Sequence, residues 1–598
     1  MIQNTLLVIG NTITNHLKNK VLMIDIKQKT VLNIEILFMV ISIFLFQNNT
    51  EAQQKYPQDY FSSPLKIPLV LAGSFGELRG GHFHSGIDIK TQGTIGKKVY
   101  ASADGYVSRI KVSPWGYGNA LYIKHPNGYT TVYAHLNSYM DTIADLIFAK
   151  QYRTKSYAVE IFPKAGSIKI KKGQVIAHTG NSGSSGGPHL HYEIRNSAEE
   201  PINPLLFGIK IADHQYPSIR KFRIYNLFEN GSTKFNEYQV TQKGKSVKLR
   251  TNDTILIHAN KFYPAVEGFD RWDAAVNKNG YYKLEYYFDD TLFFQFIADK
   301  LVFSQKRYIN TYIDYAEYKE KKVRFQRSFI EENTKLRNTR NNIGNGIISL
   351  IDDKAHSLKV IAEDFNGQKS ILKIIIKKGK PYNAKELSGA FFDWKHNNAY
   401  ENSKMRVEIP AGAFYSNQLF WVKDKNNKYS NYSKLIEVYD IGVPLHKYYS
   451  LRIKLDSSVM VIDKSKLCIL SLNTKNQLIY EGGKYNNGFI STKTRSFGEY
   501  FIGIDTIAPI IKQQNVYNNK NITKQRSIDF KVTDNLSGID KYKATLDGKW
   551  ILLKYDPKKN RMYYEIDKHF PAGKHKFEIK IWDSRGNVAS KSYSLIRS

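Results

Sequence analysis

The chain has 598 residues, with Lys+Arg 88 against Asp+Glu 54 and a formal net charge of +34. At about 150 residues per domain this length points to roughly four domains and excludes a single compact one, while 42% hydrophobic and 13% aromatic residues exclude a wholly disordered chain. The single cysteine, Cys468, excludes an internal disulfide and any Cys-cluster zinc or iron–sulfur site, so a metal here must be held by His, Asp or Glu. The positive balance favours anionic partners such as nucleic acid, acidic lipid or wall polymer. The Lys residues nevertheless lie scattered beside Asn, Ile and Tyr, as a biased coding composition also produces, and no nucleic-acid partner is expected.

After Lys27 and Lys29 comes Ile36 to Phe46, an apolar stretch interrupted by Ser42 and followed by Thr50-Glu51-Ala52. It is shorter than the ~20 residues of a spanning helix and suits the core of a secretory signal cleaved near Ala52. Met23 is then the better initiator, and an uncleaved membrane anchor is the alternative. Export to the periplasm, cell envelope or surface follows.

From about Tyr56 to Phe207 the sequence is Gly-rich and built of short β-type runs such as Ala120-Leu121-Tyr122-Ile123 and Thr131-Val132-Tyr133-Ala134. Turn signals such as Pro126-Asn127-Gly128 separate them, which predicts an antiparallel β architecture. Met140, Ile143, Leu146 and Ile147 recur at helical spacing, so a short helix is expected from about Ser138 to Tyr152. Pro201-Ile202-Asn203-Pro204 punctuates the end of this region, and Lys-, Asn- and Tyr-rich strands follow. Downstream, Val360 to Gly367 and Ile579 to Asn587 share an alternating strand, an Asp and a Gly turn, a weak internal repeat that reads as the final hairpin of a sandwich module. Asp505-Thr506-Ile507-Ala508-Pro509 and Asp534-Asn535-Leu536-Ser537-Gly538-Ile539 make residues 505–598 resemble bacterial immunoglobulin-like surface domains.

Three histidine-bearing motifs fall inside the first β region. In Gly81-His82-Phe83-His84-Ser85-Gly86-Ile87-Asp88, His84 and Asp88 are four apart, an even separation that sends an imidazole and a carboxylate to one side of an extended chain. In Tyr133-Ala134-His135-Leu136, alternation puts Tyr133 and His135 on one face. The third, Gly180 to Ile194, feeds a Gly-rich turn into a strand whose His189 and His191 share a face opposite Leu190; no P-loop Lys-Ser/Thr follows it. Together these supply two His and one Asp as candidate ligands, with two further His, a count that fits a catalytic zinc with an open fourth position.

His84-x-x-x-Asp88, Tyr133-x-His135 and His189-x-His191, with Lys172-Gly173-Gln174-Val175-Ile176-Ala177 and Gly187-Pro188 before the last pair, resemble the lysostaphin/LytM-type zinc metallopeptidases that cut peptidoglycan peptides. The resemblance covers roughly Ser74 to Arg195. It implies one zinc ion held by His84, Asp88 and His191, with His135 and His189 as non-ligand catalytic histidines: His189 accepting and returning a proton, His135 donating to the oxyanion, the two roles exchangeable. The expected fold is mainly β, an antiparallel metallopeptidase domain of the duplicated-hybrid-motif kind followed by β-sandwich modules. Its expected parts are a signal peptide or anchor over 1–52, the peptidase over 53–208, a β-sandwich over 209–378, a β module of unassigned type over 379–504 and an immunoglobulin-like sandwich over 505–598. The expected activity is an exported zinc endopeptidase acting on peptidoglycan cross-links or stems. The alternatives are a catalytically silent wall-binding or hydrolase-regulating protein, or a peptidase directed at extracellular protein. The C-terminal modules are expected to meet an envelope partner, and the membrane only through an uncleaved N-terminal segment.

Overall fold

The computed structural model describes residues 56–598 apart from 252 and 253. The expected signal or anchor segment lies outside the described residues, and among those described no helix is long and apolar enough to cross a membrane.

The first region is built on strands β1 (Leu71–Gly73), β2 (Ile87–Lys90), β3 (Gly105–Val112), β4 (Ala120–Lys124), β5 (Thr130–Ala134), β6 (Val159–Ile161) and β7 (His189–Arg195). They run β1-β2-β7-β5-β4-β3-β6 within a nine-stranded sheet whose neighbours along this path are all antiparallel. Strand β7 sits between β2 and β5, and its alternation decides what the sheet presents on each side. Leu190, Tyr192 and Ile194 are fully buried on one face, each contributing about 1.5–3 kcal/mol by leaving water. That burial pins the register and leaves His189, His191, Glu193 and Arg195 together on the other face. The helix α1 (Asp141–Thr154) interrupts the strands as expected. It buries Ile143 and Ile147, and carries Asp141 in its first turn and Arg153 in its last, both favourable to the helix dipole.

Residues 218–378 contribute a twelve-stranded sheet in which Thr233–Lys243 pairs with Ser218–Leu227 over its first part and with Ser246–Leu249 over its last, joining two halves. Strands alone were expected here, but short helical segments at Phe303–Tyr308, Ile309–Tyr312 and Tyr315–Lys321 interrupt them. The last of these is capped by Asp314, whose side chain accepts from the Glu317 amide. An isolated antiparallel bridge between Ile202 and Lys300, the bond from the Asn203 amide to the Asp299 carbonyl at 2.8 Å, and Phe83 stacked on Phe296 dock this region on the first.

Residues 390–504 form two five-stranded sheets and a two-stranded ribbon, with Phe414, Phe420, Tyr449, Leu451 and Ile502 in a shared core. Residues 510–597 form a four-stranded and a five-stranded sheet that enclose Phe530, Tyr564, Phe577 and Ile579. Both copies of the Asp-containing turn close hairpins, His356–Glu363 with Lys369–Lys378 and Gly573–Asp583 with Val588–Arg597.

Candidate metal centre

The register of the central strands assembles the site. His191 of β7 lies opposite Asp88 of β2 on one side and Ala134 of β5 on the other. His84 approaches from the turn before β2. Gly86 allows this turn to press against β7, because a Cβ there would lie 2.4 Å from the Tyr192 carbonyl oxygen and 3.0 Å from the His191 ring.

Three atoms converge. His84 Nε2 is 3.0 Å from His191 Nδ1 and 3.1 Å from Asp88 Oδ1, and His191 Nδ1 is 2.8 Å from Asp88 Oδ1. All three residues are buried. Each is also held from behind: His84 Nδ1 donates to the Ser74 carbonyl at 2.8 Å, His191 Nε2 donates to Glu193 Oε1 at 2.8 Å, and Arg79 donates to Asp88 Oδ2 at 2.6 Å. Glu193 is itself anchored by Ser85 at 2.6 Å, Tyr117 at 2.5 Å and Arg195 Nε at 2.6 Å.

This arrangement tests the fit to a metal. With the outer nitrogens committed as donors, the inner nitrogens of His84 and His191 present lone pairs to each other and to a carboxylate oxygen. Three acceptors in mutual contact repel unless a cation stands between them. Tetrahedral zinc with bonds of 2.0–2.1 Å has ligand–ligand edges of about 3.3 Å, close to the observed separations, and the outer bonds are those that fix the tautomer of metal-bound imidazoles. A proton is the competing occupant. Burial lowers the His191 imidazole, but its bonds to Asp88 and Glu193 outweigh this and push it up to about 9, whereas burial lowers His84 to about 4.

The two other histidines flank this point. His189 Nδ1 meets the Gly187 carbonyl at 2.8 Å and Ser185 Oγ at 3.2 Å. Its Nε2 is buried without a hydrogen-bond partner, 3.4 Å from Asp88 Oδ1. His135 Nδ1 donates to the Ser182 carbonyl at 2.9 Å, and its ring lies 4.8 Å from that of His189 and 5.8 Å from that of His191. Burial, then the two neighbouring imidazoles, lower His135 to about 3. With Nδ1 committed as donor, its Nε2 carries a lone pair, so in its neutral form it is an acceptor rather than the expected oxyanion donor.

The expected pairing of Tyr133 with His135 on one face is corrected by the backbone. Alternation ends at Ala134, and His135 adopts φ 59°, a left-handed conformation that few non-glycine residues hold outside constrained sites. This turns its imidazole to the site. Tyr133 points to the opposite face, packed 5.4 Å from the Tyr192 ring with its hydroxyl accepting from the Ser102 amide at 2.9 Å. His82 is exposed on the rim and takes no part in the cluster. Glu193 went unrecognised in the sequence, although its parity with His191 on a strand was the available signal. Ser74 and Tyr117 arrive from loops and Arg79 from the two-residue strand Leu78–Arg79, too short to show a period, so none of them carries such a signal.

A cleft of about 490 Å³ opens over the site. His84, His135, His191 and Tyr117 line one side, and Phe303, Gln305, Lys306 and Asn338 of the following region line the other. Helix α1 is not among its lining residues.

Comparison with known proteins gives two family matches: "Peptidase family M23" over residues 82–151 and 157–204, and "Zu5-like domain" over residues 389–505. A DD-carboxypeptidase/endopeptidase, Mpg, of Neisseria meningitidis is 37% identical over 123 residues, covering 20% of this chain and 22% of that protein. A murein hydrolase activator, NlpD, of Salmonella dublin is 32% identical over 134 residues, covering 22% and 28%. The match thus spans under a third of these relatives' length. The crystal structure of the catalytic domain of EnpA, a prophage-encoded M23 protein from Enterococcus faecalis, aligns at 28% identity over 25% of this chain and 98% of that one, with a TM-score of 0.19.

Proposed function

From a chain whose residues 82–204 carry a peptidase family M23 domain of the LytM/lysostaphin type, we propose an exported zinc endopeptidase that hydrolyses peptide bonds in peptidoglycan cross-links or stems. The observation that carries this reading is the set of three inward lone pairs within 3.1 Å of one another, each fixed from behind and opening on a cleft. His84, Asp88 and His191 are the metal ligands in this proposal. A bound zinc ion supplies Lewis acidity and makes a coordinated water acidic near neutral pH.

The chain's own residues do the rest. His189 Nε2, unpartnered and aimed at the ligand cluster, accepts the water proton and returns it to the leaving amine. His135 also starts as an acceptor at Nε2, so whichever imidazole takes the proton becomes the donor that stabilises the oxyanion. Ser182 and Gly187 hold the two rings through their carbonyls and keep the reactive nitrogens pointed inward. The peptidase activity follows Mpg, named an endopeptidase, and the wall substrate with its envelope location follows NlpD, named for murein hydrolases. Likeness to a protein named as a hydrolase activator keeps a regulatory role as the second reading, and the complete ligand and histidine set weighs for catalysis.

Purified protein and His191→Ala, each with and without chelator, are incubated with purified sacculi and the released peptides are weighed by mass spectrometry. Release by the zinc-loaded protein alone is the expected result. Equal release from His191→Ala removes the enzymatic reading, and release from unrelated proteins but not from sacculi redirects it to protein substrates.

A further inference from the structure

A second buried acidic cluster lies outside the peptidase domain. Carboxylate oxygens of Asp213, Asp270 and Asp364 lie within 4.8 Å of one another, and the three residues are 4%, 1% and 0% exposed. Each acid comes from a different segment: the link leaving the peptidase domain, the end of strand Lys261–Phe269, and the turn that closes hairpin His356–Glu363 with Lys369–Lys378. Asp213 and Asp364 each spend an oxygen on a local cap, to the Gln215 amide at 3.0 Å and the Gln368 amide at 2.9 Å. Asp213 Oδ2, Asp270 Oδ1 and Asp364 Oδ2 are buried and have no hydrogen-bond partner.

An independent group points the same way. Asn279 is 2% exposed, and neither its amide oxygen nor its amide nitrogen has a partner. It exchanges both backbone hydrogen bonds with Asp270, at 3.0 and 2.8 Å, as an antiparallel bridge. Residues paired in this way send their side chains to the same face, so Asn279 adds a carbonyl oxygen beside Asp270. The scaffold around the acids is fixed: Gln368 Nε2 donates to the Asp213 carbonyl at 2.8 Å, and Asn366 Nδ2 reaches the Ile211 carbonyl at 3.4 Å.

We propose that Asp213, Asp270, Asp364 and Asn279 form a structural calcium site that ties the exit of the peptidase domain to the following β region. The donors are all hard oxygens, which favours calcium or magnesium over zinc. Magnesium dehydrates reluctantly and is seldom held by an all-protein cage, which selects calcium for a site this buried. Three carboxylates gathered in a buried site repel one another, and a divalent ion removes that repulsion.

The internal repeat supplies a control. In the C-terminal copy, Asp583 corresponds to Asp364, but both its oxygens have donors: Oδ1 accepts from the Arg585 and Asn587 amides and Oδ2 from Asn587 Nδ2. Asn587 there also reaches the Asp505 carbonyl at 3.0 Å, as Gln368 reaches that of Asp213. Gln368 is one methylene longer and leaves Asp364 Oδ2 free for an ion.

The test uses the full chain, stripped with EDTA, dialysed, reloaded with one equivalent of zinc and titrated with calcium chloride in a calorimeter. One calcium per chain binds in addition to the zinc, and the melting temperature rises by about 5 °C at a hundredfold excess over Kd. Magnesium chloride does not reproduce the rise. Calcium uptake persists in His191→Ala and is lost in Asp270→Asn. If the unsubstituted protein takes up no calcium at concentrations up to about 10 mM, above the weakest extracellular sites, the proposal falls, whatever the fate of the variants. It falls also if Asp270→Asn melts higher than the unsubstituted protein with and without calcium, because the acids then share protons rather than an ion.

Discussion

The peptidase domain and the region that follows it each bury a cluster of acidic or imidazole groups, and they support those groups differently. Around His84, Asp88 and His191 every atom that faces away from the centre is hydrogen-bonded to a fixed partner, so only the inward lone pairs remain. Around Asp213, Asp270 and Asp364 the caps are local, and oxygens of all three acids lack any donor. The first design fixes ring orientation and tautomer before a metal arrives, as chemistry at the metal requires. The second gathers charge from three distant segments and gains order when an ion binds, as a structural site does. Substitutions at the two clusters should accordingly fail in different ways, the first in rate and the second in melting temperature.

The largest effect short of removing a ligand is expected at His189. Because His189→Ala removes a proton acceptor and no ligand, peptide release should fall by about 10²- to 10⁴-fold while zinc content, measured by elemental analysis, stays at that of the unsubstituted protein. A parallel loss of zinc would make His189 a ligand and break the distinction between the ligand triad and the flanking imidazoles. Next comes Glu193→Gln, which leaves all three ligands in place but weakens the support behind His191. Competition against a chromophoric chelator should show zinc affinity lower by about 10- to 100-fold. Unchanged affinity would mean that the support from behind is ornamental, and the contrast between the clusters would lose its basis.

How much of this was legible depends on whether neighbours in space were neighbours in parity. His84 with Asp88, and His189 with His191, are spaced evenly on extended chain, so the pattern alone placed them on common faces. Glu193 obeys the same parity and was there to be read. His135 is the opposite case: alternation assigned it to the face of Tyr133, and the left-handed backbone at φ 59° overrode that assignment. Ser74 and Tyr117 come from loops, where no period exists, Arg79 comes from the two-residue strand Leu78–Arg79, too short to show one, and pairing across distant segments is invisible to local pattern. The same holds for Asp213, Asp270 and Asp364. The repeat made Asp364 conspicuous as a turn residue, yet nothing in its neighbourhood announced the other two. The helical segments between Phe303 and Lys321 were missed because the aromatic-rich sequence around them reads as strand by propensity.

The smallest expected effect asks how far the support behind the histidines extends. Helix α1 does not border the cleft; it docks the C-terminal region, with Tyr152 donating to Asp567 Oδ2 at 2.6 Å and stacking on His569 at 3.8 Å. From the same region Lys558 Nζ donates to the carbonyls of Asn181 and Ser185. Those two residues bracket the loop that positions both flanking imidazoles: the Ser182 carbonyl holds His135, and Ser185 Oγ and the Gly187 carbonyl hold His189. Lys558 is exposed, so water competes for its bonds and their loss is screened. Lys558→Ala should therefore lower kcat on sacculi by about two- to tenfold, on the scale of one or two modest hydrogen bonds, with zinc content unchanged. Amide hydrogen exchange over residues 180–188 should quicken in step, since the loop loses an anchor that the peptidase domain cannot replace. Unchanged exchange with unchanged kcat would confine the support of the histidines to the peptidase domain itself and leave the C-terminal region as a neighbour of the site rather than a part of it.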